Sequence, residues 1–149
     1  MIFDTHAHYD DDAFDEDRQN VLETLPANNV GRVVNVGAHL LGSQRSVDLA
    51  RRYDFIYAAV GVHPDDANQV DDTGIAKLKD LCQNEKVVAI GEIGLDYYYM
   101  PPEYDAPTKE VQQEWFSRQL LQGKEHSSMR TARTHNGRPC RDIFVKLLS

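Results

Sequence analysis

Four short apolar runs, each followed by a stretch with helical spacing, constrain this chain more than any other feature of its sequence. The runs are Ile2-Phe3, Gly31–Gly37, Phe55–Val60 and Val87–Ile90. Helical periodicity follows over Arg18–Asn29 (Val21, Leu22, Leu25), Ser43–Tyr53 (Val47, Leu49, Ala50), Thr73–Asn84 (Leu78, Leu81) and Lys109–His126. Pro26 lies inside the first helical span and is expected to end or kink it. Regular β-α alternation with near-continuous apolar strands predicts an α/β fold: a parallel sheet covered by helices. An open nucleotide-binding sheet is the alternative, but no glycine-rich phosphate loop follows the first strand.

The polar groups at the strand ends carry the chemistry. His6 and His8 stand two residues apart at the end of the first run, so on a strand their side chains share a face. Imidazole is a common ligand of first-row divalent ions, and two on one face can reach a single ion. Glu92 emerges where the run Val87–Ile90 stops, between Gly91 and Gly94. A carboxylate at the mouth of a buried strand is costly unless it is paired or bound to a cation. His63 follows the third run, in Gly61-Val-His-Pro64. Three strands ending in His6 and His8, His63 and Glu92 predict one functional rim. A surface histidine pair, a turn histidine fixed by Pro64 and a structural salt bridge are the respective alternatives.

Asp4-Thr-His-Ala-His8, Gly61-Val-His-Pro64 and Gly91-Glu-Ile-Gly-Leu-Asp-Tyr-Tyr98, in this order, resemble the TatD family of metal-dependent deoxyribonucleases, a branch of the amidohydrolase-like metal hydrolases. The resemblance extends to about Leu121, through Gln112-Gln-Glu-Trp-Phe116 and Gln119-Leu120. It implies (β/α) units of a TIM-type barrel and one or two divalent ions, Mg²⁺ or Mn²⁺ in use and Zn²⁺ as an alternative. It also implies hydrolysis of phosphodiester bonds. His6, His8 and Glu92 map onto metal ligands, and His135 maps onto a third metal-binding histidine, the alternative being a surface histidine in a disturbed loop. Asp4, His63, Asp96 and Tyr97 fall where substrate contacts or supports of the ligands are expected, Asp4 by orienting a histidine ring. Trp115 and Phe116 sit at core spacing on their helix, and packing explains them better than base stacking.

The chain departs from the family pattern after Leu121. Residues 122–141 are atypical, a poor buried strand with Arg130 and Arg133 interspersed, and Gly137 stands where the family carries arginine. Ile143-Phe144 is expected to begin a helix. A closed (β/α)₈ barrel typically takes about 250 residues and at least about 200. The 149 residues here supply four clear units and the start of a fifth, so we expect one incomplete barrel domain. The aspartate expected to act on the nucleophilic water has no counterpart in this sequence, which leaves the catalytic residue unassigned.

Composition narrows the partners. With 41% hydrophobic and 27% charged residues the chain is globular in character, with no stretch long enough to span a membrane and no basic leader. Cys82 and Cys140 are too few for a disulfide framework, and a cytoplasmic location is the expectation. A net charge of −8 argues against gripping a duplex by phosphate neutralisation, so single-stranded or frayed DNA ends are the expected substrate. The acids at Asp10–Asp12 and Asp15–Asp17 read as a solvated loop and first helical turn rather than as further metal ligands.

Two other functions fit the same residues. One is hydrolysis of another small ester or cyclic amide on the same scaffold. The other is a catalytically inactive half-barrel serving in binding or assembly. A half-barrel with two unpaired edges and an uncovered interior is expected to self-associate.

Overall fold

The computed structural model describes residues 1–125, 129–133 and 141–148. Its elements alternate as β1 (Ile2–Ala7), α1 (Arg18–Thr24), β2 (Val30–Val36), α2 (Leu40–Arg52), β3 (Ile56–Val60), α3 (Asp72–Leu81), β4 (Val87–Asp96) and α4 (Lys109–Glu125). Strands β1 to β4 pair in parallel in sequential order, with Val33 opposite Ile56 and Val60 opposite Ile90. The result is four β-α units of a barrel laid side by side, as the alternation predicts. The main core fills the space between sheet and helices, with Leu22, Val33, Val47, Ile56, Leu78 and Ile90 among its buried members.

Several boundaries differ from those the sequence suggests, each for a local reason. Helix α1 ends at Thr24, and Pro26 opens a 3₁₀ turn over Pro26–Asn28. Helix α2 starts three residues early because the Nδ1 of His39 accepts the N–H of Gly42 and caps it. Strand β4 runs on to Asp96, carrying Glu92 within the sheet rather than just beyond it.

Two expectations are corrected. Ile2 and Phe3 are not the buried strand body that their apolar character predicts: they are 54% and 59% exposed, and among the described residues β1 is an edge strand paired with β2 alone. Residues 141–148 do not begin a helix. They form β6 (Arg141–Leu148), antiparallel to β4, and β5 (Met129–Arg133) pairs antiparallel outside it. The sheet order is therefore β1-β2-β3-β4-β6-β5, and the edge of β4 that was expected to be open is paired. Ile143-Phe-Val145 is β-branched and aromatic, a composition that suits a strand better than a helix. His135, like the rest of 134–140, lies outside the described residues.

Candidate metal centre

The C-terminal ends of the parallel strands are fixed to the helices by side-chain hydrogen bonds. Asn35, fully buried on β2, accepts the N–H of Tyr9 at 2.6 Å and donates to Asp10 (2.7 Å) and Ser46 (2.8 Å). That network clamps the chain leaving β1 against β2 and α2. Ser43 Oγ donates to the carbonyl of Gly61 and accepts its N–H, locking the end of β3 to α2. A Cβ at Gly61 would lie 2.8 Å from the backbone carbon of Gly91, so glycine there lets the ends of β3 and β4 close together.

Two glutamines on α4 complete the frame. Gln112 Oε1 accepts the Asp96 N–H at 2.9 Å and its Nε2 donates to the Asp96 carbonyl at 2.8 Å. One repeat of seven later, Gln119 does the same to Val62, at 2.8 and 3.1 Å. Each side-chain amide satisfies both backbone groups of a buried strand-end residue, as a neighbouring strand would.

On this frame His6, His8 and Glu92 converge. The Nε2 atoms of His6 and His8 are 3.1 Å apart, and they lie 3.7 and 3.8 Å from Glu92 Oε2. A point equidistant from the three atoms lies about 2.1 Å from each, the length of an ordinary metal–imidazole or metal–carboxylate bond. The His8 Nδ1–H donates to the carbonyl of Val36 at 2.7 Å, which fixes the tautomer and leaves the Nε2 lone pair for the shared point. The donor set therefore fits one divalent ion. Contact with Glu92 raises the pKa of His6 against the opposing effect of burial. Burial pushes the Glu92 carboxyl up, but the contact with His6 and the fields of His63, His6 and His8 bring it net below its usual range.

The remaining predicted residues occupy distinct places. Asp4 accepts the backbone N–H of His6 at 3.1 Å, so it holds the strand and not a histidine ring. His63 caps the 3₁₀ turn Pro64–Gln69 by accepting the N–H of Asp65 on Nδ1, and its field reaches Glu92. Its Nδ1 also lies 3.5 Å from Asp65 Oδ2, farther than the 3.2 Å backbone contact. His63, Asp65 and the buried Asp96 present ligand atoms within 4.8 Å of one another, a second group beside the first. Asp96 Oδ1 accepts the N–H of Tyr98. The Tyr97 hydroxyl accepts from Gln113, and Lys109 sits over its ring at 5.0 Å. The acidic stretch is structural: Asp11 caps a turn, and Asp12 and Asp15 pair with Arg45 and Arg18.

Sequence reasoning passed over Gln112, Gln119 and His39. The glutamines had a usable signal, being polar residues seven apart beside the buried face that holds Trp115. His39 lay on the rim after β2, but histidine is not a usual helix-capping residue.

A parallel (β/α) array whose first and fourth strands deliver two imidazoles and a carboxylate to one point defines the barrel-type metal-dependent hydrolases. The chain belongs to the TatD-related DNase family, whose profile matches residues 3–135. It is 42% identical over 125 residues to the uncharacterized metal-dependent hydrolase YabD of Bacillus subtilis, covering 84% of this chain and 47% of YabD. It is 35% identical over 96 residues to the 3'-5' ssDNA/RNA exonuclease TatD of Cronobacter sakazakii, covering 64% and 36% of the two chains. Its fold matches the crystal structure of YjjV, a TatD homologue from Escherichia coli, with a TM-score of 0.71 and 31% identity over 83% of this chain and 47% of that one. The chain thus spans about half the length of these relatives or less. Among the described residues no helix is long and apolar enough to cross a membrane.

Proposed function

We propose that this chain carries the first metal-binding half of a phosphodiester hydrolase that acts on single-stranded nucleic-acid ends. The observation that carries the reading is the convergence of His6, His8 and Glu92 on one point at bonding distance from all three. A divalent ion held there would lower the pKa of water and offset charge building on the phosphoryl oxygens. The protein's own part is to aim the donors. The Val36 carbonyl takes the Nδ1–H of His8 and so turns its Nε2 lone pair to the shared point, while burial raises the Glu92 carboxyl and the contact with His6 brings it net below its usual range. Mixed nitrogen and oxygen donors accept several metals, and the family resemblance favours Mg²⁺ or Mn²⁺ over Zn²⁺. The name of the Cronobacter relative and the net charge of −8 both favour single strands over tightly gripped duplex.

Thermal unfolding with Mn²⁺ against an EDTA control tests the centre, and cleavage of labelled single-stranded DNA tests the activity. A native-state metal site raises the transition temperature as ion is added, and His6→Ala with His8→Ala abolishes the rise. A transition indifferent to metal overturns the reading. A metal-dependent rise without cleavage assigns the chain instead to a binding half-barrel, and the exposed edge of β1 favours that alternative as an assembly surface.

A further inference from the structure

Between the start of α2 and the turn after β3 lies a recess of about 320 Å³. Leu40, Leu41, Val62 and Val70 form its apolar walls, and His39, Gln69 and Asp66 stand among them as polar groups. The size is near the lower end of the roughly 300–1,000 Å³ usual for small-molecule sites, room for a single nucleoside unit and not for a longer segment. A second recess, of about 260 Å³, is lined by His8, His39 and Leu41, with Arg45 and the acids Asp10, Asp11 and Asp12 also in its wall. His39 and Leu41 border both recesses, and the second also touches His8, a candidate metal ligand.

The walls are built in place. Val62 has both backbone groups held by Gln119. Leu40 and Val70 pack over Gly74, where an added Cβ would meet Val70 Cγ1 at 2.8 Å and Leu40 Cδ1 at 3.0 Å. The polar groups are equally fixed. The Nδ1 of His39 is taken by Gly42, so the neutral ring offers an Nε2–H donor. Gln69 Nε2 donates to Asp66 at 2.9 Å, which leaves its carbonyl oxygen as the acceptor it offers. Apolar side chains with a donor and an acceptor among them match the chemistry of a planar heteroaromatic base.

We propose that this recess is a nucleobase subsite, holding the base of the nucleotide whose phosphate lies at the His6, His8 and Glu92 centre. The inference rests on the functional reading above and adds a means by which the site would distinguish a nucleotide from other phosphate esters. Short-range apolar contact, rather than phosphate neutralisation, then supplies much of the affinity, as suits an acidic protein.

Calorimetric titration of the Mn²⁺-loaded chain with deoxyadenosine 5'-phosphate, deoxyribose 5-phosphate and deoxyadenosine tests it. The base-bearing phosphate is expected to bind about ten- to a hundredfold more tightly than the baseless one, the range for burying a group of this size. Val70→Trp, which fills the recess, and Leu41→Asp, which places a carboxylate in its wall, are each expected to erase that difference. Binding of deoxyribose 5-phosphate stays unchanged in Val70→Trp, because Val70 borders the first recess and not the one that touches His8. Leu41 is 53% exposed, so the second variant keeps the fold if the first does not. Equal binding of the two phosphates, or a difference that survives both substitutions, overturns the subsite. If the metal reading alone fails, deoxyadenosine still binds in a manner sensitive to Leu41→Asp, whereas His6→Ala leaves the sugar phosphate unaffected.

Discussion

His6 and Glu92 bias each other's protonation, and in the metal-free chain this makes stability depend on pH with a definite sign. Glu92 titrates below its usual 4.5 in the fold, so its contribution is present above that value and is lost as pH falls through the lower folded pKa. His6 titrates above its usual 6.5, so its contribution is present below that value and is lost as pH rises through the higher folded pKa. With EDTA present, the difference in stability between the wild type and Glu92→Gln should be greatest between these two values and shrink on either side. Thermal melts across pH 3–9 would show it, and a flat difference would dissociate the two groups. Gly61 poses a second test at this scale. Its Cβ position meets the backbone at Gly91, so Gly61→Ala should destabilise the chain by about 1–3 kcal/mol and weaken Mn²⁺ binding by moving Glu92. The histidine pair and Glu92 were legible as strand-end polar groups with a two-residue period. The role of Asp4 was not, because sequence cannot tell a carboxylate that reaches a ring from one that reaches a backbone N–H.

At the scale of elements, α4 does more than cover the sheet. Its two glutamines satisfy the ends of β3 and β4, and Trp115 packs into the same face. Gln119→Ala strips partners from the buried N–H and carbonyl of Val62, which should cost about 2–6 kcal/mol at about 1–3 kcal/mol for each unsatisfied group. Gln113, exposed and bonded only to the Tyr97 hydroxyl among the bonds described, is the control. Its alanine variant should stay within about 0.5 kcal/mol in urea titration. The four β-α units were legible because each strand is an apolar run and each helix has a stripe. The continuation of β4 to Asp96 was not, since Gly91-Glu92 breaks the apolar pattern while the backbone keeps pairing. The strand at 141–148 was missed for the opposite reason: a short apolar run has no period of its own, and the partner on β4 decides its conformation.

For the molecule as a whole, the parallel half-barrel was readable from alternation and length, but which residues lie at an edge was not. Apolar composition made Ile2-Phe3 look like an interior strand, whereas among the described residues β1 lies at the sheet edge, where the two side chains meet water. That edge predicts self-association of the isolated chain. Sedimentation at micromolar concentration should show a species heavier than the monomer, and Phe3→Lys should return it to monomer.

The glutamine clasps have a consequence for covalent continuity. The segment Pro101–Asp105 is exposed, and it is the sole covalent route from β4 to α4. Because α4 is bound to residues 62 and 96 through its own side chains, and β6 lies along β4, the two halves of a chain cut in that segment have every reason to remain together. A protease that nicks there should yield two bands in denaturing electrophoresis and one particle in native sizing, a split protein that could be supplied as separate polypeptides and reassembled by mixing.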